Sequence, residues 1–571
     1  MSHRLLEKYR LRSAAESGLA ANPWGGRLSV ALVYPNTYYQ GMSNLGLQTV
    51  YRMLNQRDDT LCERFFLPDR EDVDDHLRGK APLLSVETQR PLADFDLIAF
   101  SISFENDYVN LPLIFELGAL PLWREERDER YPLILCGGVC AFLNPEPLAD
   151  IMDLFAVGEA EVLLPQLLQT LLEHDDGGRD ELLGKLAALA GIYRPDAYAP
   201  SYAEDGVLTA MAPNKGVPER VARQWLAQLD EGQSYTCVAT PDTEFGSMHL
   251  LELSRGCPHA CRFCAAGFIY RPFREHSLEA MRQQIPPGKK VGLVAAAVSD
   301  YASFEELGRG VLEHEGEVSV SSVRIDAITP EQVRILRESG HKTVALAPEA
   351  GSQRMRDLIN KGIDEAQILS AAQILADGGI PNLKLYFMIG LPTETQEDVQ
   401  AIIDLTVQIR SIWEQAGRAR GYLGRLQLSV NPLTPKPWTP LQWAPMEKRS
   451  SLDKKYRLLQ RGLRTLANVD INLESLRQAE LQGLLARGDR RVAQLLPHLA
   501  EGSNLKASCR KAGLDPSFYL TRERGAHELL PWEIIDQGVT RQHLRDEYEA
   551  ALAARSGYSC HPGCQRCGMK C

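Results

Sequence analysis

The sequence predicts an α/β chain: an N-terminal doubly wound parallel sheet, then an incomplete (β/α)6 barrel, then a helical C-terminal region. Three observations predict it. Short continuous apolar runs alternate with stretches long enough for helices, the pattern of parallel strands buried on both faces. The alternation stops at a proline-rich connector and restarts beyond it. Beyond the second alternation the chain reads as helices and ends in a Cys/Gly tail.

Residues 1–26 read as a helical lead-in closed by the turn Asn22-Pro23-Trp24-Gly25-Gly26. Strands follow at Leu28–Tyr34, Leu97–Ser103, Leu133–Cys136 and Leu154–Val157, with helices between them such as Asn44–Leu54 and Val109–Leu120. Ligands of such sheets bind beyond the carboxyl ends of the strands. Those ends are polar or Gly-rich: Tyr34-Pro35-Asn36-Thr37, Ser101-Ile102-Ser103, Cys136-Gly137-Gly138-Val139 and Val157-Gly158-Glu159-Ala160-Glu161. Glycine also serves strand-to-helix turns, so a purely structural reading stands beside the ligand-binding one. Residues 166–245 form a connector with local structure. From 246 to 445, strands at Leu250–Leu253, Val291–Val294, Ser319–Ile325, Thr343–Leu346, Leu383–Ile389 and Leu426–Val430 give six β/α units, which suit a partial barrel. The domains are therefore 1–165, 166–245, 246–445 and 446–571.

With 571 residues, 44% hydrophobic and 24% charged, the composition is that of a globular chain with sizeable cores. No window approaches 18 uninterrupted apolar residues, so no membrane span is expected. The charged start, MSHRLLEKYRLRSAAESG, lacks a signal peptide's apolar segment. The expected location is cytoplasmic, where disulfides rarely persist. The 12 cysteines then need another explanation. Cys62, Cys136, Cys140, Cys237 and Cys509 are scattered and suit small buried packing residues. Cys257, Cys261 and Cys264 form one cluster and Cys560, Cys564, Cys567 and Cys571 another. Thiolates so close repel unless a cation neutralises them, which points to metal.

The first cluster, Ser254-Arg255-Gly256-Cys257-Pro258-His259-Ala260-Cys261-Arg262-Phe263-Cys264, is C-x3-C-x2-C directly after the first barrel strand. Loops at that end of a barrel form the active face. Three thiolates can hold three irons of a [4Fe–4S] cluster and leave the fourth open. A structural zinc would need a fourth ligand, and His259 is too near in sequence to serve comfortably.

This motif, with an aromatic before its last Cys, resembles the radical S-adenosylmethionine (SAM) superfamily. The resemblance implies SAM bound at the open iron, its reductive cleavage to a 5′-deoxyadenosyl radical, and an electron donor such as flavodoxin or ferredoxin. Flanking sequence fits. Leu346-Ala347-Pro348-Glu349-Ala350-Gly351-Ser352 ends strand four, where the family places polar SAM contacts. Phe387-Met388-Ile389-Gly390-Leu391-Pro392-Thr393-Glu394-Thr395 resembles the strand-five loop near the adenine, and Asn431–Pro437 the end of strand six. One departure stands out. The Gly-Gly-Glu-like stretch usual after strand two is here Ala295-Ala296-Ala297-Val298-Ser299-Asp300. Ser299 and Asp300 are the substitutes, with Asp300 pairing the SAM ammonium, and Arg324 meets the carboxylate or ribose. The implied SAM-binding set is therefore Ser299, Asp300, Arg324, Glu349, Gly390 and Pro392, each of which also has a plain reading as a satisfied loop residue.

Cys136-Gly137-Gly138, Pro145-Glu146-Pro147 and Val157–Glu161 ahead of such a core resemble the cobalamin-binding subclass. Ala31–Tyr38 and Gly41–Gly46 resemble a sparsely characterised radical SAM family, along nearly the full length. The literal D-x-H-x-x-G at Asp74–Gly79 lies outside the loop after strand one, where an axial histidine belongs, so any cobalamin would sit without one. The alternative is a nucleotide-type fold serving as substrate platform. Cys560-x3-Cys564-x2-Cys567-x3-Cys571 suits a second Fe–S cluster or a structural zinc. Three functions compete: modification, by methylation or otherwise, of an unactivated C–H position; RNA- or ribosome-directed methylthiotransferase-like chemistry; and a non-catalytic Fe–S or Zn scaffold. Arg487-Gly488-Asp489-Arg490-Arg491 and Lys454-Lys455 give the RNA reading little support. Against 63 Lys and Arg stand 75 Asp and Glu, a charge of −12, so these read as solvated helix faces.

Overall fold

The computed structural model describes residues 3–174, 177–561 and 563–569. After helix α1 (His3–Ala15) comes a sheet of six strands: β1 (Leu28–Tyr34), β2 (Thr60–Phe66), β3 (Leu97–Ser101), β4 (Leu133–Gly137), β5 (Leu154–Ala156) and β6 (Ile192–Tyr193). Their order is β2-β1-β3-β4-β5-β6, parallel except for β6. Every residue of β2 and all but the first of β1 are buried. A strand covered on both faces has no solvent face to mark with polar residues, which is why the sequence shows unbroken apolar runs. The winding reverses between β1 and β3, a topological switch point where ligands of this fold class bind. Helix α2 (Leu45–Asn55) starts there, capped by Asn44, whose side chain accepts the Leu47 N–H.

Beyond the hairpin β7 (Tyr198–Tyr202) and β8 (Leu208–Pro213), seven parallel strands follow in two sheets. The first holds β9 (His249–Glu252), β10 (Lys290–Val294) and β11 (Glu317–Ser319). The second holds β12 (Thr343–Glu349), β13 (Asn382–Ile389), β14 (Leu426–Pro432) and β15 (Val469–Leu473). The strand expected at Ser319–Ile325 ends at Ser319. Beyond it the Arg324 N–H goes to the Ser299 hydroxyl at 2.8 Å instead of a neighbouring strand, and the Val323 N–H reaches the Ala345 carbonyl at 3.2 Å. The strand β15 lies in a stretch that reads mainly as helices, and it adds a seventh to the six expected strands.

The helical C-terminal region closes onto the N-terminal sheet. Phe142 and Leu143 share one core with Trp443, Leu485 and Trp532, and the Asn144 amide donates to the carbonyls of Ala486 and Gly488. Among the described residues no helix is long and apolar enough to cross a membrane.

Candidate functional site

The cysteine loop leaves β9 between two anchors. Ser254-Arg255 pairs antiparallel with Arg274-Glu275, closing the loop at its base. Arg255 and Arg274 both reach Glu159, at the carboxyl end of β5: Arg274 grips it with two bonds (3.0 and 2.7 Å) and Arg255 with one (2.7 Å). Arg255 also holds Glu161 and Glu252, at 2.9 and 2.7 Å. Burial pushes the Glu159 carboxyl up, but the Arg274 hydrogen bonds and the Arg255 charge outweigh it and hold it below the usual carboxylate range. This network ties the N-terminal sheet to the strand that carries the thiols.

Cys257, Cys261 and Cys264 line a cavity of about 200 Å³, with Arg324 and Glu349 from the expected set and with Lys361, which sequence reasoning did not single out. Burial pushes the Cys257 thiol up to about 11 and the Cys261 thiol to about 12, and raises Cys264 as well, while the Lys361 charge draws Cys261 down. At neutral pH such thiols release their protons only when a metal cation binds the sulfurs. Lys361 stands 3.3 Å from Glu349. Glu349 follows a register shift in β12 and adopts φ 66°, a conformation rare for a residue with a Cβ. The only three ligand-type atoms within 4.8 Å of one another, among the described residues, belong to Asp69, Glu71 and Asp72, which Lys8 of α1 neutralises. The three loop sulfurs therefore do not all lie within 4.8 Å of one another, as against the ~3.8 Å sulfur separations of a tetrahedral zinc site. Thiolates on separate irons of one cluster lie further apart, so the donor set fits a [4Fe–4S] group better than zinc.

The other expected contacts are distributed differently. Asp300 forms an ion pair with Arg324 (3.1 Å) through one oxygen and meets His259 Nε2 (2.6 Å) through the other, and it is not among the cavity's lining residues. Ser299 braces the Arg324 backbone. Gly390 and Pro392 are not among the cavity's lining residues; the Gly390 N–H donates to Glu394 (2.7 Å), which Lys455 of the helix Arg449–Leu463 also grips at 2.6 Å. His259 and Lys361 carried no pattern of their own, because their partners lie 41 and 12 residues away in sequence.

A second cavity of about 470 Å³ lies at the carboxyl edge of the N-terminal sheet, lined by Asn44, Ser101, Ser103 and Gly138 on one side and by Ser254 and Arg255 on the other. Ala296 lines both cavities. The Ser254 hydroxyl is buried without a hydrogen-bond partner. The lining combines hydroxyl and amide groups with the charges of Arg255, Glu159, Glu161 and Glu252 and holds no imidazole among the described residues, so a corrin held there would have no axial histidine. His76 of the D-x-H-x-x-G string is buried elsewhere, its Nδ1 against the Ala81 carbonyl. Two glycines of the sheet edge serve chain packing. At Gly138 (φ 89°) an added Cβ would lie 2.5 Å from the Ile102 carbonyl oxygen, and at Gly158 (φ 133°) 2.0 Å from that of Gln224.

Cys560 and Cys564 are half-buried and Cys567 is buried, its carbonyl accepting the Thr540 N–H; Cys571 lies outside the described residues. Lys454 is exposed, as a solvated helix face would have it, but the other cations of the basic clusters are not. Arg487 is fully buried, Arg490 pairs with Glu146, Arg491 with Asp489, and Lys455 with Glu394 and Glu447. Each of these four cations is held by a local carboxylate or carbonyl, a use that a run of basic letters does not reveal.

Residues 251–406 match the radical SAM superfamily and residues 46–195 match the N-terminal domain of radical SAM proteins. An uncharacterized protein of Methanocaldococcus jannaschii is 28% identical over 490 residues, covering 85% of this chain and 94% of its own. The hopanoid C-3 methylase of Methylococcus capsulatus is 24% identical over 49% of this chain and 50% of its own. A tRNA-2-methylthio-N(6)-dimethylallyladenosine synthase of Geobacter sulfurreducens is 26% identical over 30% of this chain and 42% of its own. Among solved structures, the radical SAM methyltransferase TsrM of Kitasatospora setae, with cobalamin and a [4Fe–4S] cluster, aligns over 92% of this chain and 99% of its own at 13% identity and TM-score 0.47.

Proposed function

The chain belongs to the radical SAM superfamily, and on that premise we propose an enzyme that cleaves SAM reductively and modifies an unactivated C–H position, by methylation, on a substrate still to be identified. The observation that carries this reading is the convergence of Cys257, Cys261 and Cys264 on one cavity that also holds a buried Lys361–Glu349 pair and Arg324. When bound there, a [4Fe–4S] cluster with one open iron supplies the electron that splits SAM into methionine and a 5′-deoxyadenosyl radical. The three thiolates hold that cluster. Arg324, positioned by Ser299 and Asp300, orients the SAM carboxylate with its planar fork. Glu349 receives the SAM ammonium; burial raises its affinity for a proton, and the Lys361 charge and hydrogen bond oppose that rise. The Gly390–Pro392 loop is assigned to the adenine. The reductant is a one-electron donor of flavodoxin or ferredoxin type.

The sheet-edge cavity is the seat proposed for cobalamin, with Asn44, Ser101 and Ser103 as hydrogen-bond partners; bound there, it would carry a methyl group supplied by a second SAM, while the first SAM serves as the radical source. Its volume of about 470 Å³ supports a second reading, a small substrate in the same place, since drug-sized ligands occupy cavities of roughly 300–1,000 Å³. Cys560, Cys564, Cys567 and Cys571 are assigned to a second Fe–S cluster, with structural zinc as the alternative. Methylation accords with the methylase among the relatives. An RNA substrate finds less support, because the cations of the basic clusters, Lys454 apart, are spent on internal partners.

The deciding assay is 5′-deoxyadenosine formation by anaerobically reconstituted, reduced protein given SAM. Product is expected from the wild type and none from Cys257→Ala, Cys261→Ala or Cys264→Ala; no wild-type product refutes the enzyme in favour of a scaffold. Hydroxocobalamin retained through desalting, read by its visible spectrum, separates corrin from substrate in the sheet-edge cavity. Metal analysis of Cys564→Ala separates iron from zinc at the tail.

A further inference from the structure

The residues between the three loop cysteines are held from outside by the C-terminal tail. Arg262, between Cys261 and Cys264, is fully buried. Its Nε donates to Glu547 (2.9 Å) of the helix Arg541–Leu552. Its Nη1 shares its two hydrogens among three carbonyls: those of Asp357 and Leu358, at the end of the helix Gln353–Leu358, and that of Arg555 in the tail, all within 3.0 Å. The backbone of Arg262 donates to Ile359 O at 2.9 Å. Two residues earlier, the Ala260 carbonyl accepts from the Asn360 amide (3.1 Å), whose oxygen in turn accepts the Gly557 N–H (2.8 Å). Nearer Cys257, the Pro258 carbonyl accepts the Cys560 N–H at 2.7 Å. Thus Pro258, Ala260 and Arg262 are each tied, directly or through one amide, to residues 555–560.

We propose that Arg262 is a positioning residue for the thiol loop and that tail residues 555–560 form the outer half of the site that holds the cluster. A loop rich in small residues and without regular structure has no ladder of its own to fix the three thiols. A guanidinium donating to three carbonyls and one carboxylate supplies the missing rigidity, since its fork presents donors in a fixed plane. Asn360 does the same for the neighbouring segment. It adopts φ 52° and precedes Lys361, so the turn that the tail braces is also the one that delivers Lys361 to Glu349. The second thiol cluster begins at Cys560, the residue bonded to Pro258, so the two thiol clusters meet along this seam. The inference rests on the reading of Cys257, Cys261 and Cys264 as cluster ligands.

Full-length Arg262→Lys, Glu547→Gln and Gly557→Val protein provide the test. Lysine keeps the charge and loses the fork. Glutamine keeps the shape of Glu547 and loses its charge. Valine touches no loop residue by sequence, but a Cβ at Gly557 would sit 3.1 Å from Asn360 and Glu547 and 3.2 Å from Arg262, pushing the tail outward. The readouts are the rate of iron loss to a chelator and the part of the reduced-cluster EPR spectrum that shifts on adding SAM, which reports the open iron of the loop site. Thermal melting serves as the control for folding. Each variant is expected to lose iron about tenfold faster, the lower end for removal of a supporting partner at a metal site, with a diminished SAM-dependent shift. Wild-type rates and spectra in folded Glu547→Gln and Gly557→Val overturn the inference, whatever the fate of Arg262→Lys. An iron-free wild type would instead refute the reading of the loop.

Discussion

Replacing Glu159 by glutamine tests whether the two parallel domains are joined by charge. Glu159 is only 6% exposed and takes two hydrogen bonds from Arg274, one from Arg255 and one from the Leu226 N–H. Glutamine keeps one acceptor oxygen in nearly the same place and turns the other into a donor facing two guanidinium groups. At least one charge-assisted bond is lost outright, the remaining ones lose the carboxylate charge, and Arg274, Arg255 and the more distant Arg223 (3.9 Å) lose their shared counter-charge. The expected cost is about 3–5 kcal/mol. Arg255 retains Glu161 and Glu252, so the loss falls mainly on Arg274. The Arg274 guanidinium lies 5.3 Å from the centre of the Trp225 ring, which makes that indole a local reporter. Urea unfolding followed by tryptophan fluorescence, against Trp225→Phe as reference, should show the interface opening well before wild type. A loss below about 1 kcal/mol, the size of a surface pair, would refute the claim that this buried network joins the domains.

Three further outcomes are expected. Lys361→Met leaves Glu349 without its partner; each side chain keeps 14–15% of its surface open, so the cost in chemical denaturation falls below a fully enclosed pair's, at about 2–3 kcal/mol, and Lys361→Met/Glu349→Gln recovers most of it. Burial raises the Glu394 carboxyl from 4.5 to about 6 in spite of Lys455. A proton bound more tightly in the folded state stabilises fully below pH 4.5, and that stabilisation is gone above about pH 6. Wild-type stability should therefore decline by about 2 kcal/mol across that window relative to Glu394→Gln, a difference read by denaturant titrations at a series of pH values. Gly158→Ala places a methyl against the Gln224 carbonyl at a φ of 133°; a cost of about 2–4 kcal/mol in thermal or urea unfolding is expected, and a neutral result would show that the connector yields.

Much of the architecture was legible because parallel strands buried on both faces write themselves as apolar runs, as Leu28–Tyr34 and Leu97–Ser101 do. The thiol clusters were legible because metal ligands on one loop are close in sequence. What escaped depends on distant partners. Val320–Ile325 has the composition of a strand, but its backbone is diverted to Ser299. Val469–Leu473 alternates half-buried and exposed residues on a sheet edge inside a helical stretch. Lys361 stands in no motif and acquires meaning only when it meets Glu349 across a bulged strand. Gly138 and Gly158 announced a special backbone, yet whether a ligand or another strand comes close there is a fact of tertiary packing.

The break between β11 and β12 has a mechanical consequence. The cavity draws Arg324 from the chain leading out of the first sheet and Glu349 from the second, so its two walls belong to different plates. Ladder hydrogen bonds resist sliding along every other strand pair around the arc. Here the Val323 N–H bond to the Ala345 carbonyl (3.2 Å) is joined by the apolar contacts of Val323 and Ile325 with the second sheet's core in bearing that load, and apolar contacts are non-directional. They hold two plates together while letting them shear. The width of the chamber is thus set at a joint, and whatever fills it can set the angle at which the two halves of the arc come to rest.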